Sequence, residues 1–178
     1  MNNMGKSRGN LLLEFFSEEI PARMQLNSEI QLQNLFIKSL KQRDIAFESF
    51  KTFSGPRHLS IIIKNIELKQ KDQKNEKRGP RFDANQKAID GFLKSNHLKL
   101  NDTFVKETKN GKFYFHSKMI KGQKTDEILP DIINEVVNGF VWPKSQRWAN
   151  SDLKWARPLR NILLLLNDDI VKGKVKIG

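Results

Sequence analysis

The sequence predicts an α+β fold: a mostly antiparallel sheet built from hairpins, with two longer helices and one short helix packed against it. Three observations carry this expectation. β-rich runs sit in adjacent pairs divided by turn residues, SGPRH (54 to 58) and Asn110-Gly111 above all. Two stretches, 22 to 42 and 128 to 139, repeat apolar residues at helical spacing. The summed order is strand, helix, hairpin, short helix, hairpin, helix and two strands, with no internal repeat, which describes an antiparallel sheet carrying helices on one side.

Taken in order, Leu11 to Phe16 (LLLEFF) reads as a buried strand. SEEIPARM after it offers Ser17 as a helix cap, with Glu18 and Glu19 where a helix N-terminus favours negative charge. Across 22 to 42, Leu26, Ile30, Ile37 and Leu40 fall on one side of a helix, with Gln33 interrupting the stripe and Leu35 pointing elsewhere. Glu48 to Phe53 and Leu59 to Leu68 form a hairpin about SGPRH. The stretch KQKDQKNEKRG (69 to 79) has no apolar residue and reads as a solvated loop or strand overhang.

Asp83, with Gln86 reciprocating, caps a short helix over 84 to 95 whose apolar face is Ala88, Ile89, Phe92 and Leu93. Asn110-Gly111 divides TFVKETK from KFYFHSKMI as a hairpin turn, because both residues tolerate positive φ. Ile128, Leu129, Ile132, Ile133, Val136 and Val137 make the second long helix, stopped by Gly139, with Pro130 requiring a first-turn place or a kink. Leu159 to Leu166 and Ile170 to Ile177 are strands about Asn167, Asp168 and Asp169.

At 178 residues the chain suits one α+β domain, 11 to 178, after a polar leader 1 to 10, and 69 to 79 is where it would split into two lobes. Against 20 acidic residues stand 32 basic ones, a net +12, which biases binding toward nucleic acid or an anionic surface. Without cysteine there is no disulfide framework and no thiolate metal site, in keeping with a reducing cytosol. The leader lacks a signal peptide's apolar core, and the run ILLLL (162 to 166) is too short to span a bilayer. A soluble cytoplasmic protein without membrane contact is expected.

The histidines, His58, His97 and His116, share no catalytic spacing, and HExxH, HxxxH, GxGxxG and GxxxxGK[ST] are all absent. Glu18 and Glu19 point about 100° apart on a helix and make no acid/base pair. No catalytic residue, metal ligand or cofactor site can therefore be assigned. What recurs is Arg and Lys beside turns or aromatics: Arg57 in GPRH, Lys77, Arg78 and Arg81 in KRGPRF, and the stretch 142 to 160. That stretch holds all three tryptophans with Lys144, Arg147, Lys154, Arg157 and Arg160 and the single acid Asp152. Cations neutralise phosphates, and aromatic rings stack on unpaired bases. Trp148 and Trp155 are accordingly candidate contacts with these cations, although a Trp beside an Arg equally serves as a core anchor.

Four strings occurring in order, LLLEFFSEEIPARM, SGPRHLSI, KRGPRFDANQKAIDGFLKS and WPKSQRWANSDLKWARPLRNI, resemble the beta subunit of bacterial heterotetrameric glycyl-tRNA synthetase over Leu11 to Val171. Ala22, Gln146 and Ala149 stand where the family pattern has Pro, Met and Gly. The resemblance implies a role in ATP-dependent attachment of glycine to its tRNA, with tRNA for glycine and an alpha subunit as partners in an alpha2 beta2 assembly. It also implies that the class II core, with ATP, magnesium and glycine, lies in the alpha subunit. The family's beta chain continues into an HD-like domain and a helical anticodon-binding domain, so this chain is expected to be an N-terminal piece.

Three functions are compatible with these residues. The first is a non-catalytic tRNA-binding and assembly region. The second is a structural module whose aromatics and arginines pack against other domains or subunits. The third, an editing-type hydrolase, requires a polar pocket where histidines, acids or hydroxyls converge, which spacing alone does not display.

Overall fold

The computed structural model describes residues 7 to 147 and 153 to 175, and the chain divides into two compact units. One unit comprises 1 to 70 with 123 to 178, and the other is Lys71–Gly122. Most of the expected leader, 1 to 6, lies outside the described residues, while Arg8 to Asn10 already belong to the first strand.

The larger unit contains β1 (Arg8–Ser17), α1 (Ala22–Gln42), β2 (Ser49–Ser54), β3 (His58–Glu67), α3 (Thr125–Gly139), β7 (Leu159–Leu166) and β8 (Asp169–Ile170). Its strands form an antiparallel sheet in the order β2-β3-β1-β7-β8. Strand alternation buries Leu11, Leu13 and Phe15 of β1, and the register sets Leu13 between Ile61 and Leu164. These residues join Leu32, Phe36, Leu40, Leu129, Ile132 and Val136 of the two helices in one core.

Helix α1 occupies the expected span and buries Ile37 and Leu40 of the expected stripe, but its first half turns a different face inward. Met24, Ser28, Leu32, Phe36, Ile37 and Leu40 are inside, whereas Leu26 and Ile30 are 70% and 47% exposed. Two residues rotate the helix by about 200°, so a stripe begun at Leu26 instead of Met24 starts on the wrong side. Ser17 caps nothing: it ends β1, fully buried, and α1 begins after Pro21 without a side-chain cap. Pro130 lies inside α3 and removes the donor that the Asp126 carbonyl would use. Gly139 does end α3, yet its service is steric, since a Cβ there would lie 2.9 Å from Leu35 of α1. The expected strand to Ile177 shrinks to Asp169–Ile170, followed by one further backbone bond from Val171 N to Leu164 O at 2.9 Å, with 176 to 178 outside the described residues.

A polar clamp joins the two long helices. Ser39 Oγ and Arg43 Nη1 donate to Glu135 Oε2 at 2.8 and 2.9 Å, and Arg43 Nη2 bonds the other carboxylate oxygen. The Arg43 hydrogen bond holds the Glu135 carboxyl below the usual carboxylate range, against the opposing effect of burial and with help from Ser39. A depressed folded pKa means the contribution is complete above the unfolded value of about 4.3 and lost as pH falls through the folded value. Glu135→Gln is expected to cost about 1 kcal/mol near neutral pH. That figure is discounted for solvent screening because the side chain is 49% exposed. Urea midpoints of variant and parent should differ at neutral pH and converge in acid; a gap that persists in acid refutes the clamp.

The smaller unit contains β4 (Gln73–Arg81), α2 (Gln86–Ser95), β5 (Thr103–Thr108) and β6 (Gly111–Ile120), with the sheet order β4-β6-β5. β4 occupies most of the stretch expected to be a solvated loop or strand overhang; most of its side chains stay exposed while its backbone pairs with β6 from Gln73 to Arg81. The α2 cap is Asn85, whose side chain accepts from Ala88 N at 2.9 Å, while Asp83 pairs with Arg81 at 3.2 Å. Thr108 pairs with Gly111, so the hairpin loop is Lys109-Asn110, and of the two residues expected to adopt positive φ only Gly111 does, at +111°.

Candidate nucleic-acid interface

Lys71–Gly122 carries 13 basic and 6 acidic residues, a net +7 of the chain's +12 on less than a third of its length. The sheet register decides where that charge goes. Phe113 and Phe115 share one face of β6, and directly opposite them stand Phe104 and Lys106 of β5 and Arg78 and Arg81 of β4. The Arg78 guanidinium lies 3.6 Å from the Phe113 ring centroid and that of Arg81 6.0 Å. Lys106 lies 5.6 Å from the Phe115 centroid and Lys74 5.7 Å from that of Phe104, which stacks on Phe115 at 6.0 Å.

Each cation is thus drawn to the electron-rich face of a ring. Phe113 and Phe115 are buried, while Lys74, Arg78, Arg81 and Lys106 remain exposed. A guanidinium flat on a ring keeps its other planar side and N–H edge for a base or a phosphate. Glu76 punctuates this face, accepting from Lys106 at 2.9 Å and meeting Lys74 at 3.1 Å. Hydrogen bonds from Lys106 first and Lys74 second hold its carboxyl below the usual range, so it stays anionic at neutral pH.

Of the residues singled out from sequence, Arg78 and Arg81 belong to this face. Lys77 alternates to the other side of β4, where its Nζ donates to Asn96 Oδ1 at 2.6 Å. In the larger unit, Arg57 and Arg160 share Glu18: Arg160 meets it at 2.6 Å and Arg57 at 3.6 Å, with Arg57 4.8 Å from the Phe16 ring centroid. Arg157 is half-buried and donates to its neighbour's carbonyl, Ala156 O, at 3.0 Å. Lys144, Arg147 and Lys154 are exposed, and Trp148 lies outside the described residues.

Trp155 offers no surface for a base, which corrects its inclusion among the contacts. It is 0% exposed and meets Phe140, Trp142 and Phe15 at centroid distances of 4.8, 5.0 and 5.4 Å. Here the core-anchor alternative holds, because a ring ringed by other aromatics buries more apolar area than a loop site can.

Spacing missed Lys74, Phe104, Lys106, Phe113 and Phe115. For Phe113 and Phe115 the signal was present in the alternation KFYFHSK of β6, but the face became readable only once 73 to 81 is a strand that sets Lys74, Glu76 and Arg78 on one side. Spacing also missed that Ser60 Oγ and His58 Nδ1 both meet Glu14 Oε2, at 3.4 and 3.2 Å. This trio is wired through the acid, which leaves no base on the hydroxyl, unlike a nucleophilic arrangement. Among the described residues, no group of three or more His, Cys, Asp or Glu is placed to hold a metal ion, and no helix is long and apolar enough to cross a membrane.

A family model described as glycyl-tRNA synthetase beta subunit matches residues 11 to 177. The glycine–tRNA ligase beta subunit of Paracoccus denitrificans is 36% identical over 160 residues, that of Rickettsia felis 37% over 161 and that of Rickettsia peacockii 38% over 161. These alignments cover 90% of this chain but 23%, 24% and 24% of those proteins, so the chain spans about a quarter of the length of the curated relatives it matches. With nearly its whole length matched, the chain belongs to the glycyl-tRNA synthetase beta subunit family.

Proposed function

We propose that this chain is a non-catalytic tRNA-holding and assembly region of a cytoplasmic glycine–tRNA ligase, supporting ATP-dependent charging of tRNA for glycine in an alpha subunit that binds ATP and magnesium. The observation that carries this reading is the cation-on-aromatic face of Lys71–Gly122, where exposed Lys74, Arg78, Arg81 and Lys106 lie over phenylalanine rings. Such a face takes phosphates on its charged ends and unpaired bases on its planes, without needing a reactive group.

The structural-module reading keeps a place in the larger unit. There Glu18 already pairs with Arg57 and Arg160, and Trp142 and Trp155 are in the core. A phosphate would have to compete with Glu18, so that part of the larger unit suits protein assembly better than RNA.

Titrating tRNA into the chain between about 50 and 200 mM salt tests the proposal, since log K should fall with log salt by about 0.7 to 0.9 per phosphate contact. Arg78→Ala and Lys106→Ala should each flatten that slope by about one contact's worth. Glu76→Gln should strengthen binding, because it releases two lysines from a competing anion. Salt-independent affinity, or three variants indistinguishable from the parent, would overturn it.

A further inference from the structure

β2 ends the sheet of the larger unit and, among the described residues, pairs only with β3. Every second residue along it therefore turns its N–H and C=O outward, forming a row that a partner spaced at the strand repeat can fill. Proteins usually blunt such an edge with proline or charge. β2 contains no proline and a single charge, Lys51, whose Nζ lies 5.0 Å from the Phe53 ring centroid, and its Phe50 and Phe53 are 37% and 42% exposed.

A groove of about 560 Å³ runs beside this edge, between β2 and α1, with Ile37 and Phe50 as its apolar residues and Lys38 and Lys41 as its charged ones. Thr52 and Ser54 donate to Glu29 of α1 at 3.1 and 2.7 Å. These bonds fix β2 against the helix before anything binds, so little ordering cost remains for the partner to meet.

We infer that β2 takes an extended, acidic segment of a partner polypeptide as a sixth strand. Alternate apolar side chains of that segment rest on Ile37 and Phe50, and its carboxylates meet Lys38 and Lys41. The open ladder is what selects polypeptide over nucleic acid. RNA would satisfy the lysines, but its phosphates offer acceptors where the outward carbonyls of β2 require donors. None of the residues on which the tRNA reading rests is used, so either can fail without the other.

The probe is a fluorescein-labelled peptide of about eight residues alternating valine with glutamate, long enough for an ordinary strand. A matched peptide carries lysine in place of glutamate, and an oligouridine serves as the nucleic-acid comparison. Anisotropy on the whole chain should give saturable binding of the glutamate peptide, at least about tenfold weaker binding of the lysine peptide, and a similar loss in the Lys38→Glu, Lys41→Glu double variant. Thermal melting confirms that this variant is folded, and hydrogen exchange should locate new protection at Phe50 to Ser54. Absence of binding up to about 1 mM overturns the inference, as does equal affinity for both peptides. Protection of β2 by oligouridine alone, or by self-association of the chain alone, would also overturn it.

Discussion

Trp155→Ala is expected to destabilise the larger unit by about 3 to 5 kcal/mol, a large share of the stability of most domains of this size. Trp155 is fully buried among Phe15, Phe140 and Trp142, and neighbouring residues from two separated stretches of chain cannot collapse into the space it leaves. Trp155→Phe should be milder for a second reason. Among the described residues the Nε1–H of Trp155 has no acceptor, so phenylalanine removes an unsatisfied donor along with part of the ring. Urea unfolding followed by circular dichroism separates the cases: a parental midpoint for the alanine variant, with tRNA affinity reduced, would make Trp155 a reader of RNA and not a core residue.

The second large effect is expected from excising 71 to 122. Gln70 N donates to Gln123 O at 2.9 Å, and Lys69 bridges to Lys124 in antiparallel fashion. The two ends of the inserted unit thus leave the larger unit as adjacent, hydrogen-bonded positions. An Asn-Gly pair joining 70 to 123 closes them as a tight hairpin. The shortened chain should melt cooperatively with its sheet intact, while tRNA affinity at about 100 mM salt falls more than tenfold, because the face carrying four clustered cations has gone. If affinity survives excision, the larger unit holds the RNA and the phenylalanine-backed face is irrelevant to it.

How far the sequence could be read depended on whether backbone or partner chemistry decides the outcome. Periodicity located α1, α3, β7 and the hairpins, because burying apolar residues on one side forces a period of 3.6 or 2. It could not choose between loop and strand overhang at β4, most of whose residues stay exposed and become a strand by pairing with β6. It failed over the first half of α1, since Met24, Ser28 and Leu32 are less uniformly apolar than the stripe starting at Leu26, whereas Ile37 and Leu40 of that stripe are buried. The candidate site followed the same division. Arg78 and Arg81 were visible beside Gly79 and Pro80, but no local pattern announces that Lys106, some 28 positions beyond Arg78, comes to share their face. Nor could Glu18 be seen as the mate of Arg57 and Arg160, from which 39 and 142 positions separate it.

β1 lies between β3 and β7, and its Leu13 pairs with Leu164, 151 positions downstream. During synthesis the middle strand of this sheet is made about 150 positions ahead of its second neighbour, so a growing chain carries a bare central edge until the ribosome has passed β7. Closing so long a loop is slow, which makes the nascent polypeptide the state most prone to capture by another strand and the one most in need of a chaperone.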